Sequence, residues 1–382
     1  MRFAVTNGIL LVVLAKTFST EQPRQQGQPV VVPDALVCAN CQVTTKVLAT
    51  VGPREGAGLL EGQPFQVSLD SRNRIWVSPN DRPPMIYDST GKFLRVLGAT
   101  GDGPGEYRGP VAVVSFGSDS ILAMDLGKNR AAVLKGDLTP ARTITLNAPG
   151  QLGHFALAGK TLFASGSVPT PASAALPLHT LSIGKDELQV VKSTGTGSAG
   201  MIRGHEHLFD WRISSGRNRT LWSAEIREYR VAQWSESGNM LKQLIRRPAW
   251  FKDSSNAAPI NRITVPPPIM ADIAEDSDGL IWVAVLTASE TWKEGYKVPT
   301  PPPPPPGSGR ATGEGRTRLY DLYKLYGTTV EVIDPSVGKV VTSFGIKQHV
   351  LALLSGRRAA VYTEGADGYP ALQIVQFTLA RR

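Results

Sequence analysis

Residues 64–98 read PFQVSLDSRNRIWVSPNDRPPMIYDSTGKFLRVLG, and this stretch decides the fold. It divides into four short runs of apolar residues, at 65–69, 74–78, 85–88 and 92–97. Two of the intervening turns, Asp70-Ser71-Arg72-Asn73 and Asp88-Ser89-Thr90-Gly91, carry residues whose side chains bond their own backbone or tolerate bends. Four short strands joined by tight turns form an antiparallel meander, and about 35 residues is the size of one propeller blade.

The pattern recurs along the chain. Asp276-Ser-Asp-Gly-Leu-Ile-Trp-Val283 repeats Asp70-Ser-Arg-Asn-Arg-Ile-Trp-Val77 position for position, and VEVIDPSVGKVVTSFG at 330–345 parallels MIYDSTGKFLRVLG at 85–98. Weaker copies lie at 111–146, 154–191 and 209–245, and a last one runs from 350 to 379. This makes six units, the last one strand short. The apolar run TTKVLATV at 44–51 is expected to supply the missing outer strand and close the ring, because separate sheets would leave their edges unpaired. The predicted fold is all-β: a six-bladed β-propeller of four-stranded antiparallel blades. A β-sandwich followed by a second β domain is the competing arrangement, and the repeat period disfavours it.

Composition agrees. The chain has 382 residues, 41% hydrophobic and 19% charged, with 38 glycines and 29 prolines. Such a turn-rich chain is a poor helical bundle, and it is too apolar for global disorder. No apolar run reaches the ~18 residues needed to span a bilayer as a helix.

The segment Phe93-Leu-Arg-Val-Leu-Gly98, followed by Gly101-Asp-Gly-Pro-Gly-Glu-Tyr-Arg-Gly-Pro110, resembles the blade junction of NHL-type six-bladed β-propellers. It is most similar to exported bacterial six-bladed propeller proteins, in which such junctions read Gly-Pro-Gly-Glu-aromatic and an early Cys-x-x-Cys can occur. The resemblance extends over roughly 38–379 and implies architecture and export rather than an activity. Its enzymatic relatives include calcium-dependent lactonases and a zinc-dependent peptide-amidating lyase, but no residue set carries over from either.

The chain opens with one Arg near the start, an apolar run at 9–15 and a polar, proline-containing stretch. That is the form of a secretory signal peptide, assigned to 1–19. A linker with the cysteine pair is assigned to 20–42, and the propeller to 43–382. An insert at 292–327 interrupts blade five. The expected location is exported, periplasmic or extracellular. Cys38 and Cys41 are the only cysteines. A disulfide is the simplest reading in an oxidising compartment, with free thiols or a metal or redox pair as alternatives.

Several stretches invite chemistry. The glycines at 101, 103 and 105 suggest a phosphate loop, but no helix follows, so they read as bends at a blade junction with Tyr107 packed between blades. The insert, with prolines at 301–306, reads as a solvated rim loop or a docking segment, and residues 318–326 are apolar enough to fold back as a lid. Residues 203–252 hold ten Lys/Arg against five Asp/Glu, within a net charge of +9, alongside four of the seven tryptophans. Arg212, Arg217 and Arg219 are the expected exposed cluster for an anionic small molecule or glycan, or for a protein partner. His205 and His207 alternate along a candidate strand, with Asp210 near, as the only inexpensive metal ligands. Asp70, Asp88 and Asp276 read as turn caps. The functional expectation is a monomeric, non-catalytic binding propeller with no cofactor and no nucleic-acid partner, acting through a rim or the central channel. The alternative is a Ca- or Zn-dependent hydrolase or lyase.

Overall fold

The structure is a computed structural model. It describes residues 28–380 apart from 39, 81, 118, 148–150, 169–175, 196–200, 203–204, 210, 253–263, 297–321 and 366–367, and the side chains of 201–209 lie outside the description as well. The signal-peptide assignment at 1–19 and the prolines at 301–306 fall outside it.

The chain folds as antiparallel meanders. The first comprises Gln66–Leu69, Ile75–Ser78, Met85–Tyr87 and Phe93–Val96. The second is Val111–Phe116, Ser120–Asp125, Arg130–Lys135 and Pro140–Asn147. The third is Gln151–Ala158, Thr161–Ser167, Leu178–Ile183 and Glu187–Thr194. The fourth is Trp211–Ser215, Thr220–Glu225, Arg230–Ser235 and Met240–Arg246. The fifth is Ile269–Glu275, Ile281–Ala288, Tyr326–Asp334 and Lys339–Ile346. The sixth is His349–Leu354, Arg358–Glu364 and Pro370–Ala380, completed by Gln42–Val51 from the beginning of the chain. The first strand of each meander neighbours the first strands of the meanders before and after it, and that of the sixth neighbours that of the first. Two stacked layers would not produce this cyclic adjacency. The fold is a β-propeller, with the first strands innermost.

Repeated chemistry spaces the sheets. Asp70 Oδ1 accepts the Arg72 and Arg74 amides, and its Oδ2 accepts the Trp76 indole N–H at 2.9 Å. Asp276 does the same with the Asp278 and Leu280 amides and the Trp282 indole at 2.8 Å, and it also accepts Arg357 Nε from the next meander. Each aspartate thus shapes its own turn and fixes a buried tryptophan. In the fourth meander Gly216 occupies the aspartate's place. The acceptor there is Glu275 of the fifth meander, whose Oε2 takes the Trp222 indole (2.9 Å) and the Arg217 amide (2.7 Å). A Cβ on residue 216 would meet that oxygen at 2.9 Å and Thr220 Oγ1 at 2.5 Å, so glycine makes room for a carboxylate from the neighbouring sheet.

The stretch assigned as a linker differs from expectation. Val30–Val32 pairs in parallel with Leu244–Arg246 on the fourth meander. Leu36 then bridges Val340, with Val37 N donating to Val340 O at 2.8 Å. Cys38 and Cys41 form a disulfide, with their Cα atoms 5.3 Å apart, and the chain turns there into Gln42–Val51. The segment is a strap over three outer edges, because those edges hold backbone groups that need partners. The outer edges of the second and third meanders solve the same problem by pairing with each other, Thr145–Asn147 against Glu187–Gln189.

The junction loop is structural. Ala99–Thr100 pairs with Glu106–Tyr107, Tyr107 is buried between the first two meanders, and the Gly103 amide donates to Glu106 Oε2. The described ends of the insert are core rather than lid. Trp292–Tyr296 forms a 3-10 turn and Leu322–Leu325 a helical turn, with Leu325 and Tyr326 fully buried.

Asp276→Asn turns an amide N–H towards the Trp282 indole and removes the partner of Arg357. It is expected to cost about 2–3 kcal/mol in urea denaturation. Glu275→Gln should show the same kind of loss through Trp222, although the two residues belong to different sheets.

Candidate functional site

Polar side chains on the innermost strands of four meanders converge. His154 (third), Asp272 (fifth) and His349 (sixth) all interact with one guanidinium, that of Arg212 (fourth). The third and sixth meanders are not neighbours, so only the axis around which the inner strands gather can bring these groups together. The bore of the propeller is therefore the candidate site. Local irregularity aims the residues. Ladder registers shift between Leu152 and His154, between Met270 and Asp272, and between Val350 and Ala352. A bulge of this kind bends a strand and re-aims the side chains beside it.

Arg212 Nη1 donates to His154 Nε2, which requires a neutral ring protonated at Nδ1. Burial, and then the charge of Arg212, hold His154 well below the ordinary histidine range. The same two causes push His349 down to about 4. Burial lowers Arg212 to about 10 against the pull of Asp272, so it remains a cation at neutral pH. Burial raises Asp272 to about 6, opposed by Arg212 and by the Leu353 and Ile273 amides. Those amides donate to Oδ2 and Oδ1 at 2.7 and 2.9 Å. By exposed area Asp272, Arg212 and His154 are only half-buried.

The hydrogen bonding of Arg212 is incomplete. Its Nε has no partner, and neither do His349 Nδ1, Ser214 Oγ and Gln66 Oε1 on the same ring of strands. Arg246 provides the contrast. It donates to both oxygens of buried Glu331, to Pro33 O and to Asp34 Oδ1, while Tyr229 OH donates to Glu331 at 2.5 Å. That arginine is fully engaged in locking the strap to the fourth and fifth meanders. Arg357 is likewise engaged with Asp276 and Asp278.

The expected exposed trio of Arg212, Arg217 and Arg219 is not one cluster. Arg212 lies on an innermost strand with its guanidinium against His154 of the neighbouring one. Arg217 and Arg219 are exposed in the following turn, where the Arg217 amide bonds Glu275 and the Arg219 side chain pairs with Glu236. Trp211, Trp222, Tyr229 and Trp234 are core residues rather than a binding face. His205 and His207 lie on the strand His205–Phe209, their side chains outside the description. Sequence reasoning passed over His154, Asp272 and His349. Their signal was a polar residue inside or heading an otherwise apolar first strand, as in HFALA, IMADIA and HVLALL.

Among the described residues no three His, Cys, Asp or Glu side chains gather as a metal set. The bore group does not fit the calcium or zinc ion of the alternative reading, because a guanidinium at its centre would repel a divalent cation.

No protein-family profile matches the chain, and no curated protein resembles it in sequence. Solved structures do share its fold. A Bacteroides fragilis protein described as exported matches with a TM-score of 0.52 and 9% identity, over 92% of this chain and 99% of that one. A member of the DUF4221 family from Bacteroides vulgatus matches at 0.54 and 9%, over 89% and 99%. Virginiamycin B lyase from Staphylococcus aureus, crystallised with quinupristin, matches at 0.45 and 10%, over 87% and 99%. That last likeness is too loose to bear on the chemistry of this chain. No helix among the described residues is long and apolar enough to cross a membrane.

Asp272 holds its proton more tightly in the folded protein, at about 6, than at the ordinary 3.8. Between those values the native state binds more protons than the unfolded one, so this group's contribution to stability falls as pH rises. Asp272→Asn, whose Oδ1 can still accept an amide, should therefore gain on the wild type between pH 4.5 and 7.5. The expected relative gain is about 1–2 kcal/mol after allowance for screening by water in the bore, measured by urea denaturation at both pH values.

Proposed function

We propose that this chain is an exported six-bladed β-propeller of the NHL-like type that binds an anionic ligand in its central bore, without catalysis of its own. Counting each four-stranded meander as a blade gives the six, with Gln42–Val51 completing the last. The observation that carries the binding reading is Arg212. It is a cation on the axis, with Nε unpartnered and Nη1 donating to a neutral histidine, and its nearest countercharge acts through space from a carboxylate already accepting two amides. A guanidinium presents a planar fork of donors suited to a carboxylate, sulfonate or phosphate. His349 Nδ1 and Ser214 Oγ add unpartnered polar atoms, on the sixth meander's first strand and on the strand of Arg212 itself.

Three observations support export. The N-terminal sequence has signal-peptide form, Cys38 and Cys41 are joined in a disulfide, as persists in oxidising compartments, and one protein of like fold is described as exported.

The test is calorimetric titration of the purified protein with methanesulfonate, an anion whose charge is constant across the working range, with the NMR signal of the Arg212 Nε–H marking the site in the wild type. The wild type should bind at pH 5.5. Arg212→Met should lose at least tenfold in affinity, Arg212→Lys should retain part of it as a point charge without the fork, and Arg219→Ala should be unchanged. Equal binding by Arg212→Met would defeat the reading.

A further inference from the structure

The charge balance of the bore leads to a second statement, which rests on the binding reading above. At neutral pH the group carries one cation, Arg212, and one anion, Asp272, because burial and the guanidinium keep His154 and His349 neutral. Among the described residues, three titratable groups face Asp272. Arg212 comes from the fourth meander, with His154 behind it on the third, and His349 comes from the sixth. The first strands of the other two meanders, Gln66–Leu69 and Val111–Phe116, carry no titratable side chain. Glu275, further along the strand of Asp272, is engaged with Trp222 and the Arg217 amide.

One guanidinium balances one negative charge. An anion arriving at Arg212 would place a second negative charge near Asp272, and of two like charges sharing one counterion the weaker acid is driven to take up a proton. A ligand that is the anion of a strong acid keeps its charge. The carboxylate is the group able to yield, because each of its oxygens accepts one amide and retains a lone pair. We propose that an anion is taken into the bore together with one proton from solvent, which binds the Asp272 carboxylate. The anion then takes over Asp272's place as counterion of Arg212, and the bore stays neutral overall. The protein would thereby bind its ligand tightly in mildly acidic surroundings and release it as the pH rises.

The experiment is calorimetric titration of the wild-type protein with methanesulfonate at pH 7, in two buffers of different ionisation enthalpy, repeated from pH 5.5 to 8. The proposal expects uptake of between half and one proton per anion bound at pH 7, and a fall in affinity approaching tenfold per pH unit above it. Asp272→Asn should bind the anion with no proton uptake and with affinity flat across the range. Wild-type binding without proton uptake would overturn the proposal. So would uptake that persists in Asp272→Asn, which would place the proton on His154 or His349 instead. Proton uptake and its pH dependence are read from the wild type, so absence of uptake overturns the proposal even if the variant folds poorly. Failure of methanesulfonate to bind the wild type at pH 5.5, with Asp272→Asn also inert, would defeat anion binding itself rather than its coupling to a proton.

Discussion

The ladder between Gln42–Val51 and Pro370–Ala380 joins the beginning of the propeller to its end, and everything at the axis depends on it. Each antiparallel sheet has two edges of unpaired amides and carbonyls, and a ring of sheets is stable only when those edges are paired, covered or kept short. The inner edges gather around the bore. Two outer edges pair with each other, and three are served by one continuous stretch of chain from Val30 to Val51. Opening that stretch would remove the sixth meander's outer strand and leave the fourth and fifth meanders' edges bare. It would also free the strand bearing His349 to move away from the strand bearing Asp272.

The features legible in the sequence share a local cause. Asp70 and Asp276 stand six residues before Trp76 and Trp282, and that spacing is set by a single turn, so the repeat could be read without knowing any neighbour. The closing strand was legible because an apolar run near one end complements a missing strand at the other. The strap was not, since Val30–Val32 and Leu36 make their bonds with residues some 200 to 300 positions away. The substitute at Gly216 was hidden for the same reason. Its carboxylate, Glu275, belongs to another repeat unit, and the unit itself only showed that an aspartate was missing.

The bore illustrates this limit at the functional level. Arg212 was picked out for the basic stretch around it, a property of composition, and its place on an innermost strand came only with the fold. His154, Asp272 and His349 are isolated in sequence, spread over nearly 200 residues, and meet because four strands point down one axis. Buried arginines also differ in kind. Arg246 and Arg357 are surrounded by carboxylates that meet their donors, as expected of groups that hold elements together. Arg212 leans on a neutral histidine, has no carboxylate bonded to it and leaves Nε open.

That difference also explains why Asp272 stands near Arg212 without a direct ion pair. A carboxylate bonded to the guanidinium would satisfy it and close the bore to any competing anion. A carboxylate held by the Leu353 and Ile273 amides moderates the charge from a short distance and leaves the fork accessible. The bulge before Asp272 is the structural means, because it turns the side chain towards its own strand and the sixth meander's amide. The charge of Arg212 is thereby balanced by Asp272, while its fork remains available.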